Sequence, residues 1–189
     1  DLRLMKKILR GHARELDGRL FRRGSVKSVC MHAGAMIGDQ TTGSYVATIS
    51  DKMCTYWVTG ASTPCISVFK PLWLEDEMPI FSEPEQAQAI EYWKLREKLH
   101  RHILQGDIDL SEHIKLRDSL EQDIEEAVEA AQKADLSDGT GRSGLMKQLF
   151  EREENFIRSQ LARCTGASNK IKGGLHYRRY WKKQNAKLF

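Results

Sequence analysis

The stretch at residues 28–73 reads SVCMHAGAMIGDQTTGSYVATISDKMCTYWVTGASTPCISVFKPLW and is the only β-rich part of the chain. Runs of β-branched and aromatic residues that are bounded by turn-forming residues are typical of strands. The pattern predicts strands at 28–32, 42–50 and 53–59, with a tight turn at 51–52. Residues 66–69 could form a third strand of the sheet, which Pro71 would end.

Both faces of the predicted hairpin at 42–59 are poor in charge. Because side chains alternate across a strand, Tyr45 and Ile49 share one face, whereas Val46 and Trp57 lie on the other. No Asp, Glu, Lys or Arg occurs within either strand, and a hairpin with one face in water would look different. We therefore expect helices to cover one face and a further part of the fold to cover the other. If the sequence that supplies this second cover lies outside the chain, Trp57 and Val46 should lie on an exposed apolar patch.

Helical periodicity dominates the rest of the chain. It predicts a first helix at 2–16, with Asp1 as its N-cap, and two long helices at 85–105 and 111–134. Capping boxes precede the long helices, one at Ser82 and Glu85 and the other at Asp109 and Glu112. Because so short a break separates the two long helices, they should pack as an antiparallel hairpin.

The C-terminal part of the chain alternates between glycine-rich loops and helices. Residues 136–144 contain three glycines and predict a mobile surface loop, in which Arg142 should be an early proteolytic site. A further helix carries an apolar stripe from Met146 to Cys164. Residues 175–189 predict a short amphipathic helix that docks on the protein through the apolar side chains Tyr177, Trp181 and Leu188.

Composition excludes several classes of protein. The chain has 189 residues, of which 40% are hydrophobic and 30% charged, and its formal net charge is +4. This balance is too weak for a dedicated nucleic-acid binder, and no apolar run approaches the roughly 18 residues of a membrane span. Four cysteines in a chain of this length do not form a disulfide framework. We interpret them as buried thiols in a reducing compartment, which predicts a cytoplasmic protein.

Candidate site residues cluster at the start of the β-rich stretch. His32 precedes a glycine-bearing loop and should project into a cleft, and the uncharged side chains that follow suit substrate positioning or an oxyanion. The predicted lining residues are His32, Gln40, Thr41, Thr42 and Ser44. Strand capping and cross-strand hydrogen bonding are the alternative role for the last four.

Metal and nucleophile chemistry find less support in the sequence. Cys30 and His32 lie two apart on a predicted strand, about 7 Å apart at the backbone, and lack the two further ligands that a zinc site needs. His12 is interpreted as structural. The acidic residues at 75–77 point apart on an extended segment and do not converge on one ion. We therefore predict no metal site and no cofactor.

Several segments together resemble the secernin and C69 dipeptidase group of N-terminal-nucleophile (Ntn) hydrolases. The first are Cys30-Met31-His32, QTTGS at 40–44, and GASTPC at 60–65 leading into FKPLW at 69–73. Further downstream, YWKLREKLHR at 92–101 and YWKKQN at 180–185 also fit. The resemblance extends in order across nearly the whole chain.

The resemblance implies an α+β fold that is the C-terminal part of an αββα sandwich, with a long helical hairpin appended. Residues 1–81 would form the β-rich part of that core with an N-terminal helix, and 82–189 a helical region. Enzymes of this group cleave amide bonds with an N-terminal nucleophile, usually Cys, whose free amino group is the general base. Asp1 cannot act in this way, so we expect the nucleophile to lie outside this chain, which alone should be inactive.

The expected partners follow from the same resemblance. They are the N-terminal portion of the same enzyme, or another chain that carries it, and a peptide or acyl-amide substrate, in an oligomer without nucleic acid or membrane. An α+β interaction or assembly module that folds alone and has no catalytic activity is the alternative.

Overall fold

A computed structural model of the chain describes residues 1–50, 53–74, 85–134, 139–164 and 171–188. The fold is α+β, as predicted: this part of the chain contains five α-helices and a three-stranded antiparallel sheet. The helices are α1 (Leu2–Leu9), α2 (Gln86–Gln105), α3 (Leu110–Lys133), α4 (Gly139–Ala162) and α5 (Leu175–Leu188), with a 3₁₀ helix at Arg14–Leu16. The strands are β1 (Tyr45–Ile49), β2 (Cys54–Val58) and β3 (Lys70–Leu72), in the order β1-β2-β3.

The central hairpin is confirmed, but its neighbours differ from the prediction. β1 and β2 pair with Val46 opposite Trp57. The third strand begins at Lys70 rather than within 66–69, because Ile66 lies in a turn whose amide donates to the carbonyl of Thr63. Pro71 lies inside this third strand, which its edge position permits. The predicted strand at 28–32 is a series of bends with a single bridge between Ser25 and His32.

The two faces of the sheet have opposite environments. Trp57 is 3% exposed and packs with apolar residues of α3 and α4, while Lys6 of α1 lies over its ring. The prediction that Trp57 lies on an exposed patch is therefore wrong. On the other face, Tyr45 is 70% and Ile49 82% exposed, so the described residues leave this face open at β1. The expected cover from outside the chain stays a prediction.

Cover on this second face, which we call the open face, increases from β1 towards β3. Cys54, Tyr56 and Val58 of β2 are half-buried. Lys70, opposite Val58 on β3, is buried, and its charge is compensated by Glu153 of α4, whose carboxylate oxygen lies 2.7 Å from the Nζ. Glu153 is also paired with Arg96 of α2 at 2.9 Å. Helices α2 and α4 thus bound the open face at β3, whereas the described part of the chain leaves Tyr45 and Ile49 exposed on it at β1.

Two predicted helix features differ from the structure. α1 ends at Leu9 rather than at 16, and the side chain that it buries is Lys6, whereas the apolar side chains of Met5 and Ile8 are exposed. α4 already begins at Gly139, so most of the predicted mobile loop at 136–144 is helical, including Arg142. Residues 136–138 of that loop lie outside the described residues.

Other helix boundaries agree with the sequence. Asp1 caps α1 by accepting from the amide of Arg3, and Asp109 caps α3 by accepting from the amide of Glu112. Gly106 ends α2 in the left-handed conformation. The capping box at Ser82 and the acidic residues at 75–77 lie outside the described residues.

The predicted antiparallel hairpin of the two long helices differs from the structure. The main helical partner of α2 is α4, which also contacts α3.

Two hydrophobic clusters form the core, and both combine residues from 1–81 with residues from 82–189. One surrounds Phe21, Cys30 and Cys65 and includes Tyr177 and Trp181 of the docking helix α5. The other joins the packed face of the sheet to α3 and α4. Among the described residues, no helix is both long and apolar enough to cross a membrane.

Candidate functional site

Four side chains with metal-ligating atoms converge beside the first core cluster. They are His12, Cys30, His32 and Cys65, and their ligand atoms all lie within 4.8 Å of one another. We call them the Cys/His cluster. The Nε2 of His32 is at its centre, 3.1 Å from the Nε2 of His12, 3.6 Å from the Sγ of Cys30 and 3.5 Å from the Sγ of Cys65.

The early end of α1 brings His12 to this position. Gly11 follows the helix, and a Cβ at this residue would lie 2.9 Å from the carbonyl oxygen of Ile8, so a larger side chain would be strained here. The carbonyl of Gly11 accepts from the amide of Cys30. This hydrogen bond joins the end of α1 to the segment that carries two of the other members of the cluster.

The bent backbone of residues 28–32 explains why Cys30 and His32 come together. On a flat strand their side chains would be held apart, as the sequence analysis assumed. Instead the chain bends between them, and the amide of Met31 donates to Thr41 Oγ1 while Thr41 donates to the carbonyl of Val29. The correction is therefore one of backbone conformation: the Cys30 thiol and the His32 ring are in contact.

Cys65 is presented by a turn that several side chains hold from outside. Arg117 of α3 donates to the carbonyl of Cys65, and His113 lies 2.9 Å from the carbonyl of Ile66. Arg10 donates to the carbonyls on either side of the turn, those of Pro64 and Ser67. Outer contacts of this kind fix the orientation of a ligand before anything binds to it.

Backbone strain is concentrated near the same turn. Thr63 has a φ of 55° and Phe21 a φ of 57°, values in the left-handed region that are unfavourable for β-branched and bulky residues. Thr63 lies two residues before Cys65, and the ring of Phe21 contacts His32 edge-on at 4.8 Å. Strained residues of this kind cluster at functional sites.

Electrostatics differentiate the two thiols. A hydrogen bond from Cys65, with smaller contributions from His12 and His32, lowers the pKa of Cys30 to about 3, although burial opposes this shift. Burial raises the pKa of Cys65 well above its usual value, and the neighbouring Cys30 raises it further. The pKa values of the two thiols are therefore shifted in opposite directions, that of Cys30 downward and that of Cys65 upward.

Access to the cluster is narrow. Cys30 and His32 are 0% and 1% exposed, whereas His12 is half-buried. A cavity of about 650 Å³ reaches His12 and Cys65 and is otherwise lined mainly by charged residues of α1 and α3. An ion could reach His12 and Cys65 by this route, whereas Cys30 is buried and does not line the cavity.

The residues predicted to line a substrate site are distributed over different environments. His32 is enclosed in the Cys/His cluster rather than projecting into a cleft. Thr41 supports the cluster through the hydrogen bonds described above, and its carbonyl accepts from the amide of Thr63. Ser44 extends the β1–β2 pairing through its backbone bonds to Thr59.

Gln40 and Thr42 have no such supporting role in the described structure. Thr42 is exposed. The Oε1 of Gln40 is buried and has no hydrogen-bond partner among the described residues. The structure therefore does not bring these two side chains together with His32 in one pocket.

Two members of the Cys/His cluster were not predicted from the sequence. Cys30 and His32 were considered as a pair, but a metal site was rejected because it needs two more ligands. The structure supplies these ligands as His12, 18 residues before Cys30, and Cys65, 35 residues after it. The available signal was the presence of three Cys and two His within residues 12–65, of which Cys54 does not join the cluster. The chain matches no protein-family model, no curated protein and no solved structure.

Proposed function

We propose that this chain is the C-terminal portion of an Ntn-type amide or peptide hydrolase, dipeptidase-like or acylamidase-like. In this proposal it supplies core strands and a loop near the substrate, and the N-terminal portion of the same enzyme, or another chain carrying it, supplies the nucleophile. The observation that carries the proposal is the open face of the sheet, on which the described residues leave Tyr45 and Ile49 of β1 exposed.

The composition of the open face argues for a protein partner rather than for water. Tyr45, Ala47 and Ile49 are exposed on β1, and beside them lie the half-buried Cys54 and Tyr56. Contiguous apolar surface of this kind is typical of an interaction site. In an αββα sandwich the inner face of each sheet packs on the other sheet at about 10 Å, which would cover these residues.

The outer edge of β1 supports the same arrangement. Among the described residues, no strand pairs with this edge, since the sheet order is β1-β2-β3. An apolar edge strand without charge exposes unpaired backbone groups and tends to pair with another strand. A further strand beside β1 and a second sheet on the open face would complete the core. Helices α1 and α3 on the packed face would then be one outer layer of the sandwich.

The proposal is tested on the complete natural protein. Its mature N-terminus is determined by intact mass and N-terminal sequencing, and hydrolysis of dipeptides and acyl-amides is measured beside the isolated 189-residue chain. We expect an N-terminal Cys, Ser or Thr, activity in the complete protein that is abolished when this residue is replaced by Ala, and no activity in the isolated chain.

Two outcomes would contradict the proposal. If the complete protein has no such N-terminal residue and hydrolyses nothing, the alternative of an interaction module without catalytic activity is favoured. If the isolated chain itself turns over substrate and loses activity with Cys30→Ala, Cys30 is the nucleophile. The variant Cys54→Ala is the matched control for a general effect of removing a thiol.

A further inference from the structure

The Cys/His cluster has the geometry of a four-coordinate metal site. A tetrahedral zinc ion with bonds of about 2.0–2.1 Å to nitrogen and about 2.3 Å to sulfur holds two nitrogen ligands about 3.3 Å apart, and a nitrogen and a sulfur about 3.6 Å apart. The distances from His32 Nε2 are 3.1 Å to His12 Nε2, and 3.6 and 3.5 Å to the sulfurs of Cys30 and Cys65. These three distances are close to the edges of that tetrahedron, and the remaining pairs of ligand atoms lie within 4.8 Å of one another. The side chains therefore need only small movements to close on one ion.

Ordinary core packing does not account for this arrangement. A hydrogen bond between two imidazole nitrogens needs a single proton, so one ring must donate and the other accept, and both sulfurs then compete for contact with the same Nε2 of His32. Burying polar groups is costly unless they are satisfied. A cation at the centre would satisfy all four atoms at once.

From this geometry we infer that His12, Cys30, His32 and Cys65 bind one Zn²⁺ ion as a closed structural site. A donor set of two thiolates and two imidazoles in tetrahedral arrangement is typical of zinc. All four positions would be occupied by protein atoms, and Cys30 and His32 are buried, so no position is open for substrate. The ion would join the end of α1, the bent segment 28–32 and the turn at Cys65.

The support around the ligands is consistent with a permanent site. Arg10, His113 and Arg117 hold the carbonyls of residues 64–67, and Thr41 links the Cys30 segment to the Cys65 turn. Contacts to the outside of ligating segments orient the ligands. The cavity of about 650 Å³ beside His12 and Cys65 supplies the entry path.

The test measures metal directly. The protein is purified under reducing conditions without added metal, and its zinc content is determined by elemental mass spectrometry. We expect one zinc per chain, and X-ray absorption with two sulfur neighbours at about 2.3 Å and two nitrogen neighbours at about 2.0 Å. Stripping with a chelator and adding Zn²⁺ alone should restore one equivalent and raise the melting temperature.

Matched cysteine variants separate this site from adventitious binding. Cys65→Ser should lose stoichiometric zinc, whereas Cys164→Ser, which changes a half-buried thiol outside the cluster, should retain one equivalent. Because a variant of a buried ligand can fail to fold, the stripped wild-type protein is also loaded with Co²⁺, which should show thiolate charge-transfer and tetrahedral d–d bands.

Three results would overturn the inference. The first is that the reduced and stripped wild-type protein fails to bind one equivalent of zinc. The second is that Cys164→Ser loses as much zinc as Cys65→Ser. The third is a disulfide between Cys30 and Cys65 in protein isolated without oxidation. The last result would indicate a dithiol pair instead of a metal site.

Discussion

The packed and open faces of the three-stranded sheet have similar side chains but opposite surroundings. The packed face carries Trp57, which is 3% exposed, and the open face carries Ile49, which is 82% exposed. Neither β1 nor β2 contains a charged residue. An apolar composition therefore makes a face of the sheet suitable for burial. Whether that face is buried depends on which other elements pack against it.

The largest effect is expected on the packed face. Trp57→Ala should lower the free energy of unfolding by about 3–5 kcal/mol, because it leaves a cavity between the sheet and α3 and removes the ring beneath Lys6. Urea unfolding of the 189-residue chain measures this effect. Trp57→Phe should retain most of the stability, since the indole nitrogen has no hydrogen-bond partner in the described structure.

Ile49→Ala is the matched large-to-small change on the open face. It should alter the free energy of unfolding of the same chain by no more than about 0.5 kcal/mol, as surface substitutions usually do. An equal loss in Trp57→Ala and Ile49→Ala would show that the two faces are not different in the way described.

An intermediate effect is expected where the packed face carries a buried hydrogen bond. Trp73 Nε1 donates to Thr55 Oγ1 at 2.9 Å. Thr55→Val should lower the free energy of unfolding by about 1–3 kcal/mol, because the buried indole N–H loses its acceptor. Thr55→Ser retains the hydroxyl, so a loss in Ser as large as that in Val would assign the effect to packing instead.

A smaller effect on stability, but a clear effect on association, is expected from a charge on the open face. Ile49→Lys should change the unfolding free energy of the chain by no more than about 0.5 kcal/mol, and it should weaken self-association measured by sedimentation at increasing concentration. Gln122→Lys, at an exposed position of α3 outside the sheet, adds the same single positive charge and is the control for a change in net charge. Identical sedimentation of wild type and Ile49→Lys would exclude this face from the contact.

Much of the fold could be predicted because local signals determine it. The β1–β2 hairpin follows from alternation and turn residues, and α2 and α3 from apolar periodicity with Gly106 and Asp109 at their ends. Gly11 was a local signal for the early end of α1, but the apolar residues that follow it favoured the prediction of a longer helix. The pairing of α2 with α4 depends on the buried Glu153, which no local pattern reveals.

The Cys/His cluster was less predictable than the sheet. Cys30 and His32 were recognised as a pair, but their contact depends on a bend that hydrogen bonds to Thr41 maintain. His12 lies in the cluster because α1 ends before it, and Cys65 lies there because its turn packs against α3. Such convergence is a property of tertiary structure, and spacing along the chain does not encode it.

Protection of the Cys54 thiol shows whether a second sheet covers the open face, because this thiol lies half-buried on that face. The isolated chain and the complete natural protein are each treated with a maleimide under native conditions, and the labelled peptides are quantified by mass spectrometry. Cys164, half-buried away from the sheet, is the internal reference. We expect Cys54 to be labelled in the isolated chain and protected in the complete protein, whereas Cys164 should be labelled alike in both. Equal labelling of Cys54 in the two proteins would contradict the claim that a second sheet covers the open face.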